Sequence, residues 1–274
     1  MEDFFNIFAL NPEKKSTINL NEYALNPAPL SLIAFKGGDV VSGMIRALQK
    51  WYIGFDEFSH VGLLITKDCC PFINELEKGR IYVWESTISY TPLGIGDGVL
   101  DVVSKEKRFG VQIRDLEELY PKYTSDTAKI ALCELTSNPW SVMPGDSKEK
   151  IQKRRKKIIN ILYRVYKKYK EARYEFNPIQ LGASIFPCMR GLEKGLNSIM
   201  VNGVPTLTNK MGLNRDDQVF CSEFVAIVYK KLGVIPSNVD TFRVVPGDFF
   251  GMDADKENGI PYRVVNTPIY FVTF

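Results

Sequence analysis

The spacing of apolar and polar positions changes several times along the 274 residues. Residues 30–35 form a short apolar run, and Lys36-Gly37-Gly38-Asp39 reads as a turn. Residues 40–52 read as a strand end followed by an amphipathic helix. Residues 58–66 (FSHVGLLIT) are apolar and β-branched and predict a buried strand. Residues 81–89 (IYVWESTIS) alternate and predict the next strand, with 68–80 as the connection. Residues 99–103 and 110–113 are two more strand candidates. A short helix is expected over 116–120 and a longer one over 125–135. Residues 147–173 carry a strong helical period, with Ile158, Leu162, Val165 and Tyr169 on one side and lysines and arginines on the other. Residues 176–205 read as turns and short helices. Residues 218–232 predict a clean amphipathic helix, stopped by Gly233 and then Pro236. Residues 244–250 read as a turn entering an extended piece, and 262–274 as a final strand or strand pair.

Strands and helices of this number predict a mixed α and β chain. Residues 1–29 look like an N-terminal arm, ending at Asn26-Pro27-Ala28-Pro29. No internal repeat or low-complexity segment interrupts the pattern.

Composition adds limits. Apolar residues are 45% and charged residues 24%, ordinary for a globular protein. A net charge of +3 is too small to imply a nucleic-acid partner. Much of the basic charge lies in residues 151–170. That segment reads first as a solvated helix face and second as a contact surface for an anionic membrane. No RNA motif or interleaved aromatic pattern accompanies it, so no nucleic-acid partner is expected. The five cysteines, Cys69, Cys70, Cys133, Cys188 and Cys221, are odd in number and irregularly spaced, a poor disulfide framework. The N-terminal residues lack the pattern of a signal peptide, and no apolar run reaches membrane-spanning length. A reducing, cytoplasmic compartment is therefore expected.

One count matters more. The chain holds a single histidine, His60. Any imidazole chemistry must use it. Cys221 falls at the expected first turn of the 218–232 helix. Unpaired N–H groups and the helix dipole there favour a thiolate and a developing oxyanion. His60 sits in the 58–66 strand, on one face with Phe58 and Gly62, and Gly62 leaves room for close approach, as the Cys221 helix would require. Glu85 stands mid-strand, where a carboxylate is otherwise unwelcome, and could orient the imidazole if the two strands are neighbours. Asp56, Glu57 and Asp101 stand behind it. Each residue alone has a blander reading: inert core cysteine, structural histidine, solvent-facing glutamate. A zinc site is disfavoured, because Cys69 and Cys70 are adjacent rather than spaced as ligands.

The pieces Gly38-Asp39-Val40-Val41, Phe58-Ser59-His60-Val61-Gly62, Val83-Trp84-Glu85-Ser86, Phe220-Cys221-Ser222-Glu223-Phe224-Val225 and Pro246-Gly247-Asp248 occur in an order in which the histidine precedes the cysteine. In these blocks, about half of the chain, the sequence resembles the circularly permuted branch of the NlpC-type papain-like superfamily, which includes YiiX-like amidases and a poxvirus relative. The resemblance implies an α+β, papain-like fold, with an antiparallel sheet or half-barrel packed against the helix bearing Cys221. It implies a catalytic domain made of residues 30–136 and 216–274, with 137–215 as a mainly helical insertion or cap. It also implies Cys221 as nucleophile, His60 as general base and acid, and Glu85 as the orienting residue, with no metal or organic cofactor.

The expected function is a thiol hydrolase that cleaves an amide, peptide or N-acyl, through an acyl-enzyme. Two rivals remain: a lipid acyltransferase or acyl hydrolase on the same site, and an inactive structural papain-like module, a virion component if the source is viral. Candidate substrates are accordingly a peptide, an N-acyl compound or a lipid. Gln218, Ser222 and Tyr52 are the candidates for substrate or oxyanion contacts.

Overall fold

The computed structural model of the protein describes residues 16–19, 28–38, 40–88, 99–123, 128–172, 219–251, 260–266 and 269–272. In chain order the elements are β1 (Ser16–Asn19), β2 (Leu32–Lys36), α1 (Val40–Ile53), β3 (His60–Thr66), β4 (Ile81–Ile88) and β5 (Phe109–Asp115). The short α2 (Leu116–Leu119) follows, then β6 (Lys129–Cys133), the long α3 (Lys148–Tyr169), α4 (Cys221–Leu232) and β7 (Ile269–Val272). The class is α+β.

The strands form one sheet in the order β1-β7-β6-β2-β3-β4-β5. Its centre, β6-β2-β3-β4-β5, is antiparallel throughout. The strand in the N-terminal arm pairs parallel with β7 and so extends the sheet. Both faces of the central strands are covered. On one face, Val61, Leu63, Trp84 and Ile113 meet Phe224, Val225 and Val228 of α4 and Ile158, Leu162 and Val165 of α3. On the other, Ile33, Phe35, Leu64 and Val83 pack with Leu116, Leu119 and Tyr120. Two-sided burial explains why β3 reads as a near-continuous apolar run.

Four local expectations fail for physical reasons. The expected helix over 125–135 is instead β6. Ile130 and Leu132 fill one face of the sheet while Ala131 and Cys133 fill the other, and that fit overrides helix-favouring residue types. Residues 99–103 make no strand, because Asp101 closes a turn by accepting the N–H groups of Ser104 (2.8 Å) and Ile113 (2.7 Å). The expected strand end at Val40 and Val41 is already helix. Residues 246–250 are a 3-10 turn, with the Asp248 carboxylate accepting the Val245 N–H at 2.9 Å. The short helices expected over 176–205 lie outside the described residues.

Two helix boundaries obey capping chemistry. The Ser147 side chain accepts the Lys150 N–H at the start of α3 (3.3 Å). Gly233 ends α4 in the left-handed conformation, with φ of 75°. Of the expected 137–215 insertion, α3 belongs to the main core and packs on α4 through Tyr169 and Phe224, whose ring centroids are 6.2 Å apart. Among the described residues no helix is long and apolar enough to cross a membrane.

Candidate active site

Helix α4 begins at Cys221, three residues later than the period suggests. Phe220 before it is extended (φ −74°, ψ 164°). The Phe224 N–H to the Phe220 carbonyl, 2.8 Å, is the first rung of the helix. The N–H groups of Cys221 and Ser222 precede that rung and are free of the helical ladder. Three side-chain bonds fix this entry. The Ser86 hydroxyl donates to the Val219 carbonyl (2.6 Å), the Ser222 hydroxyl donates to the Val244 carbonyl (2.7 Å), and the Glu223 carboxylate accepts the Phe220 N–H (3.4 Å). Behind it, the Phe224 ring meets Trp84 edge-on at 5.1 Å.

His60 is the first residue of β3 and lies opposite Phe35, with the two rings 5.0 Å apart. It therefore belongs to the sheet face away from α4. The β3–β4 ladder runs only from Leu63↔Trp84 to Thr66↔Ile81. Beyond it the ladder pairing stops, although Gly62 and Glu85 remain side by side. Leu64 directs both its N–H and its carbonyl towards the β2 side, so by alternation Val61 directs its own towards β4. On that side the Val61 N–H acts on the Cys221 sulfur and lowers the pKa of the thiol. The Ser222 N–H and the His60 ring act on the sulfur in the same direction, and the sulfur in turn raises the imidazole. Cys221 thus belongs to the core on the α4 side and His60 to the face of Phe35, and the two act on each other where the β3–β4 ladder has ended.

The far nitrogen of the ring, Nε2, is hydrogen-bonded to Glu85 Oε2. This leaves Nδ1 for the sulfur. The other oxygen of Glu85 accepts from Arg114 Nε at 2.5 Å, and the same guanidinium makes the ion pair with that carboxylate. Glu85 and Arg114 are fully buried, whereas the His60 side chain is 15% exposed. Cys221 is 5% exposed, so the dyad has a narrow opening. Arg114, Glu85, His60 and Cys221 form a row of alternating charge.

That row sets the protonation states. Burial alone would push His60 down, but the Cys221 and Glu85 charges and their hydrogen bonds outweigh it and raise the imidazole from 6.5 to about 10. Burial would raise the Cys221 thiol. The His60 charge and hydrogen bond, followed by the Val61 and Ser222 N–H groups, bring it below the ordinary 9.0. Burial would likewise raise Glu85, yet Arg114 first and His60 second hold it below the usual carboxylate range. The arrangement favours a thiolate–imidazolium pair.

The three expected catalytic residues are brought together. Ser222 sits beside them, but its hydroxyl is committed to Val244, which leaves only its N–H at the sulfur. Gln218 and the Tyr52 side chain lie outside the described residues. Asp56 pairs with Lys50 at the surface (2.8 Å), and Asp101 closes its own turn. Gly62 was expected to admit the Cys221 helix; it faces the other way. A Cβ there would lie 2.8 Å from Val83 Cγ1 and 3.0 Å from Glu85 Cβ, so the glycine makes room for Glu85.

Two residues went unnoticed in the sequence. Arg114 follows Gln112 on the polar face of an alternating strand, which reads as solvent-facing, but both are buried. Gln49 lies buried in α1. It donates to the Phe58 carbonyl and accepts the Gly247 N–H, both at 3.0 Å, tying the approach to His60 to the 246–250 turn. A polar residue on the inner side of an amphipathic helix was the available signal. No protein-family model matches the chain, and no curated protein does.

Proposed function

We propose that the protein is a cysteine hydrolase that cleaves an amide bond through an acyl-enzyme on Cys221. The observation that carries this reading is the electrostatic pairing of the Cys221 sulfur with an imidazole whose Nε2 is held by a buried carboxylate. The thiolate attacks the substrate carbonyl carbon, and the carbonyl oxygen takes the negative charge. The Cys221 N–H, at the start of α4, is placed to receive that charge. The His60 imidazolium gives its Nδ1 proton to the leaving nitrogen, and the amine departs. The neutral ring then takes a proton from water, whose oxygen attacks the thioester. The carboxylic acid leaves and the thiolate–imidazolium pair returns. Glu85 holds Nε2 and fixes the ring, and Arg114 keeps Glu85 ionised.

The sheet, the cysteine at a helix start and the histidine-first order support a permuted papain-like fold as part of this proposal. The experiment is mass spectrometry of the intact chain after mixing with a panel of activated esters and N-acyl amides. An acyl adduct on Cys221 that turns over, and is missing in His60→Ala, is expected. A panel that never acylates Cys221, despite full alkylation of its thiol, would argue for a retired module. The products, a peptide amine or a fatty acid, assign the substrate class.

A further inference from the structure

Helix α3 shows a surface that the thiol chemistry does not use. Lys153, Lys156, Lys157, Asn160, Arg164, Lys167 and Lys168 are all exposed. At 100° per residue they fall within an arc of about 120°. The stripe runs about 22 Å along the helix at 1.5 Å per residue. No acidic residue occurs between positions 150 and 170. Among the described residues, Lys153, Lys156, Lys157 and Arg164 form no ion pair, while Lys167 and Lys168 lie over the Tyr163 and Tyr169 rings. A merely solvated face ordinarily places glutamates three or four residues from its lysines. Here Lys153 faces Lys156 and Lys157, and Arg164 faces Lys167 and Lys168, so like charges repel at those spacings. An external counter-charge would relieve them.

A second observation concerns the end of the stripe. Val142 and Met143, in the loop before α3, are 61% and 42% exposed. The loop is fastened to the helix. Asp146 accepts the Met143 N–H (3.0 Å) and pairs with Lys150 (3.1 Å) and Arg154 (2.7 Å), and Arg154 donates to the Ser141 carbonyl (2.6 Å). Two aliphatic side chains are thus held next to a cationic face.

From this we infer that α3 and the 141–146 loop dock the protein on an anionic phospholipid bilayer, with the stripe on the headgroups and Val142 and Met143 entering the interface. Lysines attract a charged lipid surface without fixed geometry, and aliphatic tips add apolar burial. A nucleic-acid duplex would leave those tips without a use, and five of the six cations are lysines rather than forked arginines.

Co-sedimentation of the full chain with vesicles tests this. Binding is expected to phosphatidylcholine vesicles containing phosphatidylserine, to exceed that to phosphatidylcholine alone, and to fall with added salt. Lys156→Gln with Lys157→Gln should weaken it by about fivefold per cation removed, from the attraction of each charge to the surface. Met143→Ser should weaken it with no change in salt dependence. Both variants alter exposed side chains and should melt as the wild type does. Cys221→Ala should bind unchanged, which separates docking from catalysis. Equal binding to neutral vesicles, indifference to both substitutions, or displacement from the vesicles by an RNA or DNA duplex at the same salt would overturn the inference.

Discussion

The backbone N–H of Val61, the residue that follows His60, turns towards the β4 side and helps to hold the Cys221 thiol below its ordinary pKa. This contact joins the start of α4 to a stretch of β3 that is paired with β2 but no longer with β4. It also adds a fixed dipole to the thiolate, alongside the Ser222 N–H and the α4 dipole. The early end of the β3–β4 ladder keeps the Val61 N–H from being engaged by β4 and so leaves it for the sulfur.

The Arg114–Glu85 pair predicts a separation of stability from activity. Arg114→Met leaves a buried carboxylate without its cation and should destabilise the fold by about 3–5 kcal/mol. Adding Glu85→Gln removes the orphaned charge and should recover most of that loss. Activity should stay down by about 100-fold or more, because the ring loses its anionic partner. Urea denaturation and kcat/KM on the two variants check this; recovery of both together would refute it.

At Gly62, alanine should cost about 1–3 kcal/mol, as overpacking does. Its Cβ would press on Val83 and Glu85. The displaced carboxylate should lower kcat/KM more than thermal stability alone explains. Denaturation and steady-state rates on Gly62→Ala are the measurement.

Gln49→Met keeps the volume and removes both bonds. The Phe58 carbonyl and Gly247 N–H are then left buried, at about 1–3 kcal/mol for each group. The midpoint of urea unfolding should fall accordingly, while the thiol keeps its reactivity if the loss is only structural.

Stability should depend on pH through the charge row. His60 is raised from 6.5 to about 10, so the folded protein keeps a proton that the unfolded chain releases. Its contribution is complete below 6.5 and is lost as pH rises through about 10. Cys221, lowered from 9.0, acts with the opposite sign: its contribution is present above 9.0 and is lost as pH falls through its folded value. The two offset each other from the higher of 6.5 and the folded Cys221 value up to 9.0, where folded and unfolded pairs hold equal numbers of protons. Above 9.0 only the His60 loss remains. Denaturation of wild type should show that alkaline decline, and Cys221→Ala should move its onset to lower pH, because the imidazole loses the thiolate that raises it most.

The site was more legible in the sequence than the fold around it. Cys221, His60 and Glu85 could be found because each breaks a local pattern: a thiol at a helix start, the lone imidazole, a carboxylate among apolar strand residues. Arg114 breaks no pattern, since alternation reads the same for solvent-facing and buried polar faces. The strand at 129–133 was hidden because Ala131, Leu132 and Glu134 also suit a helix, and only pairing with β2 and β7 decides between them. The pairing of sulfur and ring needs the end of the β3–β4 ladder, which is set by long-range pairing and leaves no trace in local sequence.

The most direct measurement is the rate of Cys221 alkylation by iodoacetamide against pH, in wild type and His60→Ala. Wild type should react as a thiolate well below pH 9.0, with the acid limb shifted towards the ordinary thiol value in the variant. Identical profiles for the two proteins, both rising only near an ordinary thiol pKa, would contradict the thiolate–imidazolium pair on which the account rests.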